Sequence, residues 1–145
     1  KTNYKNKLFI TVEEYQPIGI YHFNSNKYYF NSKGKIIDYI DITDENIKFI
    51  IFTGKSSTSK ASKLLTVIDT LKSEFRKEII QAKFIENRRW DLLLEGNVLI
   101  KLSEDNLQKS IENFFKLTNN LSRNDFIDIK IIDLRDLQKA IIEYK

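Results

Sequence analysis

The chain has 145 residues, of which 41% are hydrophobic, so it is long enough and apolar enough to fold around its own core. It contains no cysteine, which excludes disulfides, thiolate catalysis and cysteine-based metal sites. Its 24 basic and 20 acidic residues are interspersed and give a net charge of +4, which is more typical of a solvated surface than of a nucleic-acid-binding stripe.

The first predicted strand covers residues 8–14, where the side chains alternate. Pro17, the only proline, follows this strand, and because proline cannot donate to a strand ladder it marks an edge or a junction. We therefore predict a domain boundary near Pro17, with residues 1–16 holding the last strand of a preceding domain and residues 17–145 forming the next domain. The chain begins at Lys1 and no apolar run reaches the roughly 18 residues of a membrane span, so we expect any anchor to lie upstream.

Turn residues then separate a series of short strands. Residues 18–23 and 27–30 predict a hairpin around Asn24-Ser25-Asn26. Gly34 allows a second turn, because glycine tolerates a positive φ. Further strands are predicted at residues 35–42, 48–52, 79–85 and 126–134.

Two stretches have helical periodicity. The first follows a polar loop at residues 55–62, with Ser59 or Ser62 as its cap, and its apolar stripe consists of Leu64, Ile68, Leu71 and Phe75. The second is predicted at residues 104–118, with Ser103 as N-cap and with Glu104 and Asp105 in the first turn, where the helix dipole favours acids. Its apolar face consists of Leu107, Ile111, Phe114, Phe115 and Leu121, and Asn119-Asn120 ends it. The order of elements predicts an α+β fold with a mainly antiparallel sheet and two helices.

The hairpin that contains Trp90, the only tryptophan, has two possible registers. A two-residue turn at residues 96–97 would mix charged and core residues on each face. A three-residue loop at residues 95–97 places the apolar side chains on one face and sets Asp91 opposite Lys101 on the other. Burying each large apolar side chain contributes about 1.5–3 kcal/mol, more than the roughly 0.2–1 kcal/mol of a cross-strand ion pair. The pattern therefore predicts the three-residue loop, with Trp90 in the core.

No constellation of residues indicates catalysis or metal binding. His22 is the only histidine, and without cysteine it lacks the companions of a zinc site. Acidic pairs such as Glu13-Glu14 are better explained as solvated turns than as carboxylates that converge in a cleft. Gly54-Lys55-Ser56 lacks the earlier glycine of a phosphate-binding loop. We therefore expect no enzymatic activity, no catalytic residue, no metal ligand and no cofactor.

The segment from Arg88 to Leu102 resembles the signature hairpin of the FtsQ/DivIB family of bacterial cell-division proteins, in which an Arg-Arg-Trp-Asp-Leu strand, a turn and a Val-Lys-Leu strand precede a helix. The segment Ile132-Asp133-Leu134-Arg135 is similar to the strand that follows this helix. Residues 12–18 resemble the family's junction between a POTRA domain and a β domain, and residues 27–36 and 50–54 resemble its next hairpin and strand. The motifs occur in the family's order over nearly the whole chain.

One departure is the loop Glu95-Gly96-Asn97, where Asn-Gly is usual in the family. The resemblance implies that residues 1–16 hold the last POTRA strand and that residues 17–145 form an FtsQ-type β domain with a curved sheet. It also implies a non-enzymatic divisome scaffold, anchored in the bacterial inner membrane by one upstream helix, with this domain in the periplasm. The implied partners are proteins of the FtsB and FtsL type and the septal synthase pair FtsW and FtsI, and not nucleic acid.

In the family, FtsB adds a strand to the C-terminal edge of the β domain, helped by a neighbouring arginine. Mapped onto this sequence, the edge strand is residues 139–144 and the charged helper is Arg88 or Arg89. An edge strand has unpaired N–H and C=O groups that an incoming peptide can use. The resemblance therefore implies partner binding by Arg88, Arg89, Arg135, Lys139, Ala140, Ile141, Ile142, Glu143 and Tyr144.

Two alternatives stay open. Leu134, Leu137 and Ile141 also fit helical spacing, and a helical tail would prevent strand addition. The competing class of function is binding of nucleic acid or another anionic surface, which the net positive charge and the pair Arg88-Arg89 suggest.

Overall fold

The computed structural model describes residues 6–11, 16–37 and 48–145. Within these residues, nine strands form one sheet in the order β3-β2-β1-β4-β5-β6-β7-β8-β9. The strands are β1 (Gly19–Phe23), β2 (Asn26–Phe30), β3 (Ile36–Ile37), β4 (Ile51–Thr53), β5 (Ile79–Ile85), β6 (Arg89–Leu94), β7 (Val98–Leu102), β8 (Ile129–Leu134) and β9 (Ile141–Tyr144). The helices are α1 (Ser57–Lys72), α2 (Leu107–Asn119) and α3 (Arg123–Ile127), and a 3-10 helix at Ser73–Glu78 follows α1.

The predicted α+β fold is confirmed, but the sheet is mixed. Strand β4 is parallel to β1 and β5, and β7 is parallel to β8, whereas the other neighbours are antiparallel. Each of the parallel connections β4–β5 and β7–β8 contains a helix, because a chain that leaves a strand can return in the same direction only through a crossover. The two predicted helices are these crossovers, and the short α3 adds a third helix.

The core lies between one face of the sheet and the helices α1 and α2. Strands β6 and β7 alternate between buried and half-buried residues, as expected for a sheet covered on one face. The ring centroids of Phe75 and Phe114 lie 5.1 Å apart and join the 3-10 helix after α1 to α2. The largest fully buried side chains are Phe30, Phe52, Phe75, Leu64, Ile68, Ile79, Leu92, Leu94, Ile100, Leu102, Ile111 and Ile129.

The register of the β6–β7 hairpin is the predicted one. Leu94 pairs with Val98 and Asp91 pairs with Lys101. The loop takes left-handed backbone at its last two residues, with φ of 84° at Gly96 and 63° at Asn97. Trp90 is 4% exposed, and its ring centroid lies 4.7 Å from that of Phe84. The prediction that Trp90 belongs to the core is confirmed.

The predicted N-cap of α2 is wrong. The helix begins at Leu107, and the side chain of Asn106 accepts a hydrogen bond from the backbone N–H of Lys109 at 3.0 Å. Ser103 lies earlier and is buried, and its Oγ accepts from the N–H of Asp105 at 3.2 Å. Glu104 and Asp105, which were expected in the first turn of the helix, therefore belong to a turn that Ser103 stabilises and that precedes α2.

The start of α1 also differs from the prediction. The helix begins at Ser57, inside the predicted loop, after Ser56 in left-handed backbone without a side-chain cap. Ser59 does not cap the helix, because its hydroxyl donates to the carbonyl of Ser56 at 2.9 Å. Ser57 and Ala61 are both fully buried, so packing of the first turn against the core sets the helix start rather than a local cap.

The predicted strand at residues 126–134 begins only at Ile129, since residues 123–127 form α3. Ser122 caps α3 through a reciprocal pair of hydrogen bonds with Asp125, which is a capping box that the sequence pattern did not reveal. Residues 8–11 are not in a strand, and Leu8 and Ile10 are 84% and 74% exposed, so burial does not stabilise a strand there. Two parts of the predicted strands lie outside the described residues. They are residues 12–14 of the strand predicted at 8–14 and residues 38–42 of the strand predicted at 35–42.

The β1–β2 hairpin and the turn after it are confirmed, with Gly34 at a φ of 81°. The hairpin turn is tighter than predicted, because Asn26 already belongs to β2. In the part of the chain that the structure describes, no helix combines the length and the hydropathy needed to cross a membrane.

Candidate partner-binding site

The C-terminal tail forms a strand and not a helix. Strand β9 pairs antiparallel with β8 and is the last strand in the order of the described sheet. Lys145 continues the attachment, because its backbone N–H donates to the carbonyl of Asp128 at 2.8 Å and its Nζ donates to that of Ile127 at 2.9 Å. Lys139 and Ala140 precede the strand and are exposed. The predicted edge strand is therefore shorter than residues 139–144, but it lies where the sequence placed it.

The side chains of β9 are mostly in contact with solvent. Ile142 packs against the core, on the helix-covered face of the sheet. Ile141 and Tyr144 are 56% and 57% exposed, which is unusual for large apolar side chains in a strand. Glu143 forms an ion pair with Lys130 at 3.6 Å. No described strand pairs with the outer edge of β9, and a free edge together with exposed apolar side chains is what strand addition requires.

The adjacent pair Arg88-Arg89 and the sequence-distant Arg135 lie close together at one end of the sheet. Strand β6 begins at Arg89, whereas β8 ends just before Arg135, and the antiparallel β6–β7 and parallel β7–β8 pairings bring these two points to the same end. A surface depression of about 220 Å³ is lined there by Arg88, Arg89, Arg135, Ser103, Glu104 and Asp105. A second depression joins Arg135 to Lys139 and Ile141 at the start of β9. The structure therefore places Arg135 next to the start of the edge strand, and Arg88 and Arg89 on the far side of Arg135, at the same end of the sheet.

The three arginines differ in how accessible they are. Arg89 is bonded to Asp91 on its own strand, and their side chains are only 15% and 12% exposed. Asp91 lies opposite Lys101 in the sheet, so the predicted register is confirmed. The carboxylate of Asp91, however, forms its ion pair with Arg89. Arg88, in contrast, is 52% exposed, and it contacts Glu86 at 2.5 Å and Glu104 at 3.5 Å.

Arg135 forms a bidentate bond with Asp133. Its Nε lies 2.9 Å from Oδ1 and its Nη2 lies 2.6 Å from Oδ2. The hydrogen bond from Arg135 is the main reason why the pKa of Asp133 is lowered, and it raises the pKa of Arg135 in turn. An arginine has five N–H donors, and no described residue accepts a hydrogen bond from Nη1 of Arg135. The carboxylate of Asp133 thus holds Arg135 in place, and Arg135 keeps N–H donors that can bind a second carboxylate.

Replacing Arg135 with glutamine should raise the pKa of Asp133 towards its ordinary value of 3.8. In the wild type the folded-state pKa is below the unfolded one. The pair therefore stabilises the fold above the unfolded-state pKa and loses this contribution as pH falls through the folded-state pKa. An NMR titration of the Asp133 carboxyl measures the change, with Arg123→Gln as a control on α3. An unchanged Asp133 titration in Arg135→Gln would show that the bidentate bond does not form in solution.

Other candidate residues stay apart from this site. His22 is exposed on β1. Among the described residues there is no group of three or more His, Cys, Asp or Glu side chains placed to hold a metal ion. The acidic pairs considered from the sequence, at residues 13–14, 38 with 41, and 44–45, lie outside the described residues. The contact between Glu104 and Arg88 was not predicted from the sequence. The only signal for it was the position of Glu104 just after the end of β7.

Comparison with known proteins gives the fold and the site a context. The profile of the family described as "Cell division protein FtsQ/DivIB, C-terminal" matches residues 20–135. The proteins named "Cell division protein FtsQ" from Rickettsia prowazekii and Rickettsia typhi are each 27% identical to this chain, over 140 and 141 residues that make up 95% of it. The one from Rickettsia felis is 26% identical over 142 residues, again 95% of the chain.

The chain spans about half the length of these relatives, since each alignment covers 50% of the relative. The profile match extends over most of the chain and includes Arg88, Arg89 and Arg135. The ordered motifs around Trp90 and Asp133 that suggested the family from the sequence lie within the same match. The chain therefore belongs to the FtsQ/DivIB C-terminal domain family of cell-division proteins.

Proposed function

We propose that this domain works in bacterial cell division as a non-enzymatic binding module that captures an extended segment of another division protein at β9. The observation that carries the proposal is the exposed strand β9 at the end of the described sheet, with Arg135 next to its start and Arg88 beyond Arg135 at the same end of the sheet. An incoming segment would pair its backbone with β9 and extend the sheet by one strand. The names of the relatives, cell division protein FtsQ, support the process in which it acts.

The side chains around β9 indicate what the captured segment looks like. Ile141 and Tyr144 lie on opposite faces of the sheet by strand alternation, so the segment would place an apolar side chain against each. Arg88 and Arg135 are each about half exposed, so an acidic side chain of the partner would bind at this end. The proposed partner segment is therefore a short, apolar strand flanked by at least one carboxylate.

The wider setting of the proposal follows the resemblance to the family. The captured segment would come from an FtsB- or FtsL-type protein, and the complex would act on the septal synthases of the FtsW and FtsI type. The domain would lie in the periplasm, held at the inner membrane by a single helix upstream of Lys1. The boundary near Pro17, with residues 1–16 as the last strand of a POTRA domain, stays a prediction. The residues proposed to bind the partner are Arg88, Arg89, Arg135, Lys139, Ala140, Ile141, Ile142, Glu143 and Tyr144.

Charge reversal at the two exposed arginines tests the acidic contact. The double variant Arg88→Glu/Arg135→Glu should weaken binding of an FtsB-like peptide by roughly 10- to 100-fold, since a truncated or reversed charge pair costs about 2 kcal/mol or more. Isothermal titration calorimetry on the folded variants measures this. The matched control is Arg123→Glu, an exposed arginine on α3 outside the site, which should bind like the wild type. Equal affinities for the wild type and the double variant would contradict the acidic contact.

The same variants separate this proposal from binding of nucleic acid. Fluorescence anisotropy with a short oligonucleotide, measured over a range of salt concentrations, should show no tight binding by the wild type. At this end of the sheet each exposed arginine has a carboxylate beside it, so the site lacks the one-signed basic stripe that is typical of nucleic-acid-binding proteins. Submicromolar affinity with a steep salt dependence, lost in the double variant, would favour the nucleic-acid function instead.

A further inference from the structure

A groove extends from the candidate partner site onto the helices. It has a volume of about 440 Å³ and is lined by the first turns of α1, the turn that joins β5 to β6, and the start of α2. Its apolar lining includes Phe84 and Trp90, which are only 7% and 4% exposed, so the core is closed beneath it. This α1–α2 groove is therefore a surface feature on which a partner can lie, and not an internal cavity.

The α1–α2 groove adjoins the depression that contains Arg135. The residues that line both are Arg88, Arg89, Ser103, Glu104 and Asp105. The next depression joins Arg135 to Ile141 at the start of β9. Three adjoining depressions therefore lead from the proposed strand-addition site, across the end of the sheet, to the side chains of α1.

The distance along these depressions is short enough for one peptide to cover. Strand β6, which begins at Arg89, is three places from β9 in the order of the sheet. Neighbouring strands lie about 4.8 Å apart, so the two strands are separated by roughly 14 Å. About four extended residues cover this distance. A chain paired with β9 therefore reaches the α1–α2 groove after a short connection.

Two lysines of α1 line the groove at its far side. Lys60 and Lys63 are about one helical turn apart, both are exposed, and neither forms an ion pair with any residue that the structure describes. Arg88 and Arg89 differ from them, because each has a carboxylate beside it. The described lining holds these four basic side chains and two acidic ones, so an excess of positive charge favours an acidic occupant.

The position of Lys60 is unfavourable for α1 itself. The helix begins at Ser57, so Lys60 closes the first turn, where the helix dipole favours acidic side chains. That turn contains no acidic residue. The charge of Lys60 therefore does not stabilise the helix, and a contact with an acidic group from outside the helix gives it a role.

We propose that the α1–α2 groove binds an acidic segment of the same partner whose strand pairs with β9. The proposal rests on the proposed function, because the segment reaches the groove from a strand bound at β9. Its carboxylates bind Lys60 and Lys63, and its apolar side chains lie on the closed floor of the groove. A protein segment fits better than nucleic acid, because Glu104 and Asp105 in the lining would repel a run of phosphates. The partner is thus held at two points by one chain.

Isothermal titration calorimetry with synthetic peptides tests this proposal on the intact chain. The reference probe is an FtsB-like peptide trimmed to its strand. Two further probes carry a flexible spacer of about four residues and then a run of glutamates, added at the N-terminal end in one and at the C-terminal end in the other. One extended peptide should bind the wild type roughly tenfold more tightly than the strand alone. The end that gives the gain shows which way the strand runs along β9.

The variant Lys60→Glu/Lys63→Glu should remove the gain and leave the affinity for the strand alone unchanged. Both side chains are exposed, and an acid in the first turn favours α1, so the Tm should be no lower than that of the wild type. The matched control is Lys27→Glu/Lys116→Glu, which changes the net charge by the same amount at two exposed lysines outside the groove. This control should keep the gain.

The proposal would be overturned if neither extended peptide bound more tightly than the strand alone, or if the gain persisted in Lys60→Glu/Lys63→Glu. Either result would leave binding of the strand at β9, and with it the proposed function, intact. Absence of binding by the strand alone would refute strand addition itself and the extension with it. A short oligonucleotide that bound the wild type but not Lys60→Glu/Lys63→Glu, while the glutamates brought no gain, would also overturn the proposal.

Discussion

Removing residues 139–145 is expected to abolish binding of an FtsB-like peptide. Each backbone hydrogen bond contributes about 0.5–1.5 kcal/mol net, so losing the several bonds that an added strand makes with β9 weakens binding at least roughly 100-fold. Isothermal titration calorimetry measures the affinity. Circular dichroism must first show that the shortened chain is folded, because Ile142 packs against the core and Lys145 bonds to Asp128 and Ile127.

A second variant keeps the strand and changes only what the partner meets. Ile141→Ser/Tyr144→Ser alters two exposed side chains and should reduce affinity roughly tenfold without affecting the fold. Phe23→Ser serves as the matched control, since Phe23 is 53% exposed and lies on the hairpin at the other end of the sheet order. Full affinity in a folded chain without residues 139–145 would refute strand addition at β9.

Replacing Gly54 with alanine is expected to destabilise the fold more than any other single change proposed. Gly54 has a φ of 101°, and a Cβ there would lie 2.3 Å from the carbonyl oxygen of Phe84. That oxygen belongs to the backbone of β5 and cannot move without disturbing the sheet. The strained backbone and the overlap together should cost about 3 kcal/mol or more, which corresponds to a fall in Tm of roughly 10 °C for a chain of this size.

The matched control for this variant is Gly96→Ala. Gly96 also has a positive φ, 84°, but a Cβ there would have no neighbour within 4 Å. Gly96→Ala therefore carries the backbone strain alone, about 1–2 kcal/mol, and thermal unfolding of both variants isolates the cost of the contact with Phe84. Equal losses of Tm in the two variants would mean that the backbone of β4 and β5 adjusts to the added methyl group.

Alternation of apolar and polar residues predicted the part of the fold where one face of a strand is buried. The register of the β6–β7 hairpin followed from this, because a two-residue turn would have placed Asp91 on one face with core residues. Helix starts were predicted less well. Ser103 has the chemistry of an N-cap, but its side chain serves a turn before the helix, and packing of Ser57 against the core starts α1 earlier than a cap would.

The parallel neighbours and the convergence of the site could not be derived from local patterns. Nothing in the spacing of Arg88 and Arg135 shows that they line one depression; the order of strands β6, β7 and β8 brings them together. The resemblance to the family supplied these residues, and the structure added a distinction that the sequence does not contain. Arg89 is largely enclosed with Asp91, whereas Arg88 and Arg135 are half exposed and can meet a partner.

Amide hydrogen exchange across β9 tests the central claim most directly. With an FtsB-like peptide bound, the outward-facing amides among Ile141–Tyr144 should become protected, since these groups would pair with the added strand. The amides of the β1–β2 hairpin, at the other end of the sheet order, should exchange as in the free domain. Binding of the peptide with protection elsewhere on the domain, and with unchanged exchange along β9, would contradict strand addition at this edge.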